Sequence, residues 1–230
     1  MLVVGFDTAT PAVSVAIHDG ERVVGEAFAV DARRHGELLM PMIARVMAEA
    51  GASRADLTAV AVGVGPGPYT GLRVGVVTAR VLGAVLGIPV YGVCTLDVIA
   101  AAVTGGGEFC VATDARRKEV YWARYDADRR LEGPLVSAAS SIPGAPGLAV
   151  AGTGGQLYPE AFGEVIGPAY PDARTLSAIV AGRLGEPGSP DSPLAAGPGL
   201  AQPPLLAPDP LYLRRPDARV PGPPKRVTPS

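Results

Sequence analysis

Apolar residues recur with a period of two over the first thirty residues of the chain, and with a period of four after that. Val13, Val15 and Ile17 alternate with smaller or polar residues, which is the spacing of a β-strand. The Asp-Gly pair at residues 19–20 is a strong hairpin signal. The pattern therefore predicts an opening antiparallel meander of three strands, at residues 2–6, 13–17 and 22–30.

The period of four begins at residue 35 and predicts an amphipathic helix. Its two adjacent rows are Leu38-Met42-Val46-Ala50 and Leu39-Ile43-Met47. Together they form one broad apolar stripe over residues 35–50, and Gly51 is a natural residue to end the helix. A fourth strand is predicted at residues 59–64.

The second predicted helix, over residues 70–87, is marked by small residues. They stand four apart, at Gly71, Gly75, Ala79, Gly83 and Gly87. In a helix they form a ribbon that is almost free of side chains. Because an interior glycine costs roughly 1 kcal/mol relative to alanine, we expect close approach of another backbone to offset that cost.

A second unit is predicted after three consecutive glycines at residues 105–107. We expect an N-terminal lobe over 1–104 with partner-binding helices, a C-terminal lobe over 105–200, and a proline-rich tail over 201–230. The tail is expected to dock near Leu211–Leu213 and to be disordered at its end. Further strands are predicted at residues 89–93, 109–113, 119–125 and 148–151, with a helix from Thr95 to Val103.

Composition narrows the classes of protein to which the chain can belong. Of 230 residues, 48% are hydrophobic and 18% charged, which supports a sizeable core, and the net charge of −2 disfavours a protein that wraps nucleic acid unaided. The two cysteines, Cys94 and Cys110, are expected as buried thiols. No signal peptide and no uncharged apolar segment of about 18 residues is recognised, so we expect a cytoplasmic protein without a membrane span.

The sequence contains few of the residues and motifs that bind metals or act as catalytic nucleophiles. The two histidines, His18 and His35, lie on different elements, and no CxxC motif occurs. We therefore expect no metal site. No G-x-S-x-G motif and no evident Cys/His partnership points to a hydrolytic nucleophile.

The glycine-rich stretch GVGPGPYTGLRVG, at residues 63–75, joins a predicted strand to a predicted helix. It lacks the Lys-Ser or Lys-Thr of a P-loop and the spacing of a dinucleotide fingerprint. Two interpretations stay open. The backbone N–H groups near Thr70 and Gly71 can bind an anion, or the stretch is a rigid connector.

Asp7 and Asp114 each end the first predicted strand of a lobe. Carboxylates at such strand ends can hold Mg²⁺ against phosphates. Both residues can equally cap turns. The sequence leaves these alternatives open.

The order of elements and three short motifs resemble the actin-like ATPase superfamily. The motifs are DTAT at 7–10, DARR at 114–117 and GTGG at 152–155. The resemblance implies an α/β, two-lobed actin-like ATPase (ribonuclease H-like) fold with mixed sheets flanked by helices. Ala9 stands where the superfamily has glycine, and the second loop also lacks its glycine, which argues against an efficient ATPase. The degenerate phosphate-loop positions are Asp7, Thr8, Thr10, Asp114, Gly152 and Gly154.

A closer resemblance is to the TsaB (YeaZ) family of tRNA threonylcarbamoyladenosine biosynthesis proteins. The residues that carry it are DTAT, HGELLMPMI at 35–43, the glycine-rich stretch, TLDVIA at 95–100, DARRKEVYWARYD at 114–126 and PLYLRR at 210–215. They cover the first 126 residues well and the rest thinly.

The resemblance implies a non-catalytic subunit that binds the catalytic subunit TsaD, with the ATPase TsaE as a further component. It implies contact with tRNA only through the complex, a possible self-dimer, and no tightly bound cofactor, with ATP or ADP only at the complex interface. TsaD carries a His-x-x-x-His metal site, and Leu39 stands here four residues after His35. The expected partner interface comprises His35, Leu39, Met42, Val46, Gly71, Gly75, Val76, Ala79, Arg80 and Gly83.

Two enzymatic alternatives remain at this point. One is a Mg²⁺-dependent ATPase or kinase that uses Asp7 and Asp114. The other is a peptidase, which the shortage of histidine disfavours.

Overall fold

The computed structural model describes residues 1–185 and 203–214, which form two mixed sheets flanked by helices. The first sheet contains β1 (Val3–Asp7), β2 (Ala12–His18), β3 (Val23–Val30), β4 (Ala59–Gly63) and β5 (Val90–Val93). The second contains β6 (Phe109–Asp114), β7 (Glu119–Tyr125), β8 (Arg130–Ala138) and β9 (Ala149–Ala151). The helices are α1 (His35–Glu49), α2 (Tyr69–Leu86), α3 (Thr95–Ala101), α4 (Thr153–Leu157) and α5 (Ala173–Gly185). Short 3-10 turns occur at Arg54–Asp56, Ala139–Ser141, Ala145–Gly147 and Pro159–Ala161.

The first sheet has the order β3-β2-β1-β4-β5. Its first three strands are antiparallel, as the hairpin signal predicts, while β4 and β5 run parallel to β1. The second sheet has the order β8-β7-β6-β9, with β9 parallel to β6. This architecture confirms the predicted α/β class with mixed sheets flanked by helices.

Both faces of the first sheet are covered, which explains the nearly continuous apolar strands β1 and β4. On one face, Val4 and Phe6 lie in the core that includes Leu39 of α1 and Leu72 of α2. On the opposite face, Val3 lies in a core that includes residues of α5. The alternation along β1 thus sends successive side chains to two different cores.

Helix α5 follows the second sheet in the chain but packs on the first sheet, against β1 and β2. The Ala173 amide at its start donates to Ser14 Oγ over 2.8 Å. A Cβ on Gly5 would lie 2.9 Å from Ser177 Cβ, so the helix approaches the strand at the one β1 residue without a side chain. The division of the chain at residues 104 and 105 stays a prediction, and α5 links the two parts.

The described part of the tail, residues 203–214, lies along the first sheet. Leu206 and Gly92 exchange backbone hydrogen bonds of 2.8 Å, and the Leu211 amide donates to the Val64 carbonyl over 2.8 Å. Residues 186–202, at the end of the predicted C-terminal lobe and the start of the tail, lie outside the described residues, as does the predicted disordered end of the tail.

One helix among the described residues, α2, is long and apolar enough to cross a membrane by length and composition alone. Its mean hydropathy is 1.3 over 18 residues. This is weak evidence for a span, because core helices of soluble proteins pass the same test. The expectation of no span rested on charge, and α2 carries Arg73 and Arg80.

Candidate functional site

The ribbon of small residues on α2 faces the first sheet of its own chain. A Cβ on Gly71 would lie 2.5 Å from the Thr8 carbonyl oxygen, and one on Gly75 would lie 2.4 Å from Thr8 Oγ1. A Cβ on Gly83 would lie 2.2 Å from Val90 Cγ2. The predicted close approach therefore exists, but its partner is the loop after β1 and strand β5, not a helix of another subunit.

Most residues of the predicted partner interface are not accessible at the surface of this chain, and the interface itself stays a prediction. Those that are buried within this chain are His35, Leu39, Met42, Val46, Gly71, Gly75, Val76, Ala79 and Gly83. Arg80 is the exposed exception, with 58% of its side-chain surface accessible. The physical reason is that the apolar stripes of α1 and α2 serve the core of their own sheet, and the periodicity alone cannot show which neighbour a stripe covers.

A different apolar surface lies on the outer side of these helices. On α2, Val77, Val81 and Val85 stand four residues apart and are 52%, 54% and 77% exposed. On α1, Met40 is 48% exposed. Beside the α2 valines runs an open groove of about 440 Å³, whose far side is formed by Pro210 and Tyr212 of the tail. We call this the outer α1–α2 surface.

Asp7 is fully buried and its carboxylate is held by the protein itself. Oδ1 accepts from the Ala9 amide over 2.7 Å, and Oδ2 accepts from Thr95 Oγ1 over 2.7 Å. Gly63 lies directly over the carboxylate, since a Cβ there would overlap it. Burial raises the pKa of Asp7, although these hydrogen bonds and nearby His35 oppose the shift. Asp7 thus fastens α3 to β1, with both carboxylate oxygens buried and engaged in hydrogen bonds.

Asp114 has a more open setting but also serves its own turn. Its Oδ1 accepts from the Arg116 amide over 2.7 Å, and its carboxylate pairs with the Arg116 guanidinium at 3.4 Å. The Asp114 amide donates to Thr153 Oγ1 over 3.3 Å. This is the geometry of a turn cap, which was one of the two alternatives for this residue.

The remaining degenerate phosphate-loop positions pack against strands and helices. Thr8 Oγ1 donates to the Gly71 carbonyl over 2.8 Å. The Thr10 carbonyl lies 2.7 Å from His35 Nε2. Gly152 and Gly154 lie so close to Ala112 that an added Cβ would sit 2.3 Å and 2.5 Å from its atoms. These residues hold the loops in place.

The glycine-rich turn before α2 behaves as a rigid connector. The Gly65 amide donates to Thr95 Oγ1 over 3.1 Å, and the Thr95 amide donates to the Gly65 carbonyl over 2.8 Å. A Cβ on Gly67 would lie 2.1 Å from the Ala9 carbonyl oxygen, so only glycine fits there. The structure supports this interpretation of the turn. The space in which an anion could bind beside the turn is a small cavity of about 180 Å³.

Sequence reasoning missed the role of α3. Thr95 binds Asp7 of the first sheet, as described, while Asp97 accepts from Tyr125 Oη over 2.8 Å and from Arg130 Nη1 over 2.8 Å. Burial raises the pKa of Asp97, and Arg130 opposes the shift. The signal available in the sequence was the pair of polar residues in the otherwise apolar run TLDVIA.

Metal ligands are not grouped anywhere in the described part of the chain. Within residues 1–185 and 203–214, no three His, Cys, Asp or Glu side chains lie together so that they could hold an ion. Both cysteines are buried and free, as predicted, and burial raises the pKa of each thiol to about 12.

Comparison with known proteins places the chain among tRNA-modification proteins. The family model of TsaD, tRNA N6-adenosine threonylcarbamoyltransferase, matches residues 24–141. An uncharacterized protein of Mycobacterium tuberculosis is 45% identical over 220 residues, which cover 94% of this chain and 93% of that protein. The tRNA threonylcarbamoyladenosine biosynthesis protein TsaB of Escherichia coli is 38% identical over 132 residues, 56% of each chain. The structure of YeaZ from Pseudomonas aeruginosa is 28% identical with a TM-score of 0.71, and the match covers 92% of this chain and 99% of that one.

Proposed function

The chain belongs to the TsaB (YeaZ) family of tRNA threonylcarbamoyladenosine biosynthesis proteins, and from this premise we propose that it is the non-catalytic subunit of the bacterial complex that installs the threonylcarbamoyl group on N6 of adenosine 37 in tRNAs. In this role it binds and supports a TsaD-type catalytic subunit, with TsaE as a third component. It acts in the cytoplasm and needs no tightly bound cofactor, and ATP or ADP binds only where subunits meet.

The observation that carries the proposal is the outer α1–α2 surface. Val77, Val81 and Val85 form an exposed row on a helix whose opposite side is already buried in its own lobe. Contiguous apolar patches of this kind mark protein–protein contact sites. Fully burying an exposed valine contributes about 1.5–3 kcal/mol. These three are 52%, 54% and 77% exposed, so covering each of them contributes roughly half or more of that amount.

Arg73 and Arg80 flank the valine row and favour a partner with acidic groups at the rim. Arg80 forms an exposed ion pair of 3.1 Å with Asp209 of the tail, and such a pair is worth little on its own. Rim charges act chiefly on association rate and orientation. The valines therefore carry the affinity in this proposal, and the arginines contribute specificity.

The rival proposal, a Mg²⁺-dependent ATPase or kinase, fits the site poorly. It needs Asp7 to face a metal-bound phosphate, but both Asp7 oxygens accept hydrogen bonds inside the protein. It also needs room above the carboxylate, where Gly63 lies. These contacts support a non-catalytic role, in which Asp7 fastens α3 to β1.

The test is a binding measurement with TsaD from the same organism. We expect the double variant Val77→Glu/Val81→Glu to weaken binding at least tenfold, because two buried apolar contacts are replaced by charges that must be desolvated. The matched control is Val30→Glu, which changes a valine of similar exposure, 52%, on strand β3. It should bind TsaD as tightly as the wild type.

The outcomes separate the proposal from a folding defect. Both variants alter exposed residues, so their thermal unfolding should match that of the wild type. Wild-type affinity of Val77→Glu/Val81→Glu for TsaD would show that the outer α1–α2 surface is not the docking site. Equal weakening by Val30→Glu would show that added charge alone disturbs the contact.

A further inference from the structure

A second candidate binding site lies where the start of α2, the β6–β7 hairpin and the tail meet. It is a cavity of about 230 Å³ whose polar lining consists of Tyr69, Arg116, Arg117, Tyr121, Tyr212 and Arg214. Among the described residues that line it there is no carboxylate. We call it the tyrosine–arginine cleft. The cleft shares Tyr212 with the groove of the proposed partner surface, but that surface does not account for the arginines here.

Two of the tyrosines form a fixed aromatic platform. The rings of Tyr69 and Tyr212 lie 5.2 Å apart between centroids, at an interplanar angle of 30°. Arg73 lies over the Tyr69 ring at 5.0 Å, and its Nη1 donates to the Tyr69 hydroxyl over 2.8 Å. Tyr69 and Tyr212 are nevertheless 47% and 43% exposed. Exposed, pre-positioned aromatic rings are the surfaces on which unpaired bases stack.

The arginines are positioned by the fold beside this platform. Arg116 and Arg117 are two of the four residues of the β6–β7 turn, 115–118, and both have positive φ, 62° and 55°. Arg214 donates to the Ala115 carbonyl over 2.9 Å and pairs with Glu119. Arg116 is 63% exposed and its ion pair with Asp114 is long, at 3.4 Å. An exposed pair of this kind is weak. A phosphate can therefore replace Asp114 as the partner of the Arg116 guanidinium at little cost.

The cleft continues into a second cavity. The smaller cavity of about 180 Å³ shares Pro68 and Arg116 with it, and it contains the hydroxyl-bearing residues Thr8, Thr10 and Thr70. Three arginines line the cleft, and Arg116 also lines the smaller cavity, so the site offers more than one guanidinium for phosphate groups. A strand of nucleic acid carries one phosphate per nucleotide, and its bases have aromatic faces that can stack on the tyrosine rings.

We propose that the tyrosine–arginine cleft binds a segment of single-stranded RNA, with the arginines on the phosphates and a base against Tyr69 or Tyr212. The choice of RNA over another polyanion rests on the proposed function, while the site itself rests on the contacts above. A free nucleotide shares the phosphate and base chemistry, so the experiment must distinguish the two. Since the whole chain has a net charge of −2, we expect the cleft alone to bind RNA weakly, which is why the test is made at low salt.

The experiment measures fluorescence anisotropy of a labelled oligouridylate of about ten nucleotides with the full chain alone, at about 50 mM salt and above. The test variant is Arg116→Asn/Arg117→Asn, because asparagine tolerates positive φ and the turn should keep its shape. We expect its affinity to fall about fivefold or more. The slope of log K against log salt should fall by about 1.4, since each lost phosphate contact on a single strand removes about 0.7.

The matched control is Arg22→Asn/Arg54→Asn, which makes the same charge change at exposed positions of the first lobe. Its affinity should stay within about twofold of the wild type, because neither residue lines the cleft. Tyr69→Ala should weaken binding about fivefold or more through lost stacking.

Three results would overturn the inference. They are no anisotropy change with the wild type at the lowest salt, equal weakening by both double variants, and displacement of the oligonucleotide by ADP as readily as by unlabelled RNA. The last result would assign the cleft to a free nucleotide. The assay contains no TsaD, so its failure leaves the docking proposal untouched, and the TsaD binding test leaves this one untouched.

Discussion

Replacing Gly75 by alanine is the sharpest test of how α2 sits on its sheet. In an exposed helix the change would stabilise the protein by roughly 1 kcal/mol. Here the new Cβ would lie 2.4 Å from Thr8 Oγ1, a distance that forces a shift. The next atoms, Thr8 Cβ and Val62 Cγ2, lie at 3.7 Å and 3.8 Å and are ordinary contacts. The hydroxyl of Thr8 is therefore the single obstacle.

The size of the effect follows from what that hydroxyl does. Thr8 Oγ1 donates to the Gly71 carbonyl over 2.8 Å in a buried setting. Overpacking costs about 1–3 kcal/mol, and losing a buried hydrogen bond costs about 1–3 kcal/mol more. After the gain in helix propensity is subtracted, Gly75→Ala should destabilise the protein by about 1–5 kcal/mol.

Urea denaturation measures this directly. With an m-value of about 2 kcal/mol/M, a loss of about 2 kcal/mol lowers the midpoint by about 1 M. The matched control is Gly36→Ala on α1, where an added Cβ meets nothing within 4 Å. It should raise the midpoint slightly or leave it unchanged. Stabilisation by Gly75→Ala would refute the packing of the ribbon against Thr8.

A double-mutant cycle locates the cause. Thr8→Ala removes the obstructing hydroxyl, so Gly75→Ala should cost less in that background, by about 0.5–3 kcal/mol. Additive losses would mean that the strain lies elsewhere in the helix.

Two further predictions concern Asp7 and the tail. Burial raises the pKa of Asp7, so the folded state binds a proton more readily than the unfolded state, and this contribution to stability grows as the pH falls through the raised pKa. Asp7→Asn should therefore lose this pH dependence; urea midpoints between about pH 4 and pH 7 check it, and a pH dependence that matches the wild type would contradict it. Gly92→Ala should release the tail, because its Cβ would lie 2.7 Å from the Ala207 carbonyl oxygen; faster proteolysis after residue 203 is expected, and unchanged cleavage would show that the tail does not need this contact.

Periodicity predicted the first sheet and its two large helices well. The strands β1, β2 and β3 and the helices α1 and α2 begin and end within a few residues of the predicted positions. This succeeds because each element buries one regular set of side chains, so its period is visible in the sequence.

The direction of packing could not be predicted in the same way. The glycine ribbon indicates that another part of a protein packs closely against one side of α2. It does not say which part, because close packing of Thr8 or of a helix from another subunit requires the same small residues. Helix α5 and strand β8 were not predicted at all. In β8 the central Gly133-Pro134 interrupts the strand pattern, and the packing of α5 on β1 depends on a contact between residues far apart in the chain.

The buried polar contacts of the site were also beyond the sequence. From the sequence alone, Asp7 can be a metal ligand or a structural residue. The contacts with Thr95, Ala9 and Gly63, which distinguish the two, are known only from the structure. Thr95 lies 88 positions away from Asp7 in the chain. Such a partnership leaves no local pattern, and only the fold brings it together.

The most direct test of the account is threonylcarbamoyl transfer to tRNA by TsaD and TsaE from the same organism, with variants of this chain added in turn. We predict that Asp7→Asn/Asp114→Asn supports modification as well as the wild type does, because neither carboxylate takes part in chemistry. Val77→Glu/Val81→Glu should fail to support it, because the outer α1–α2 surface no longer binds TsaD. Full modification with the valine variant, together with loss of modification with the aspartate variant, would contradict the account and point to a catalytic site in this chain.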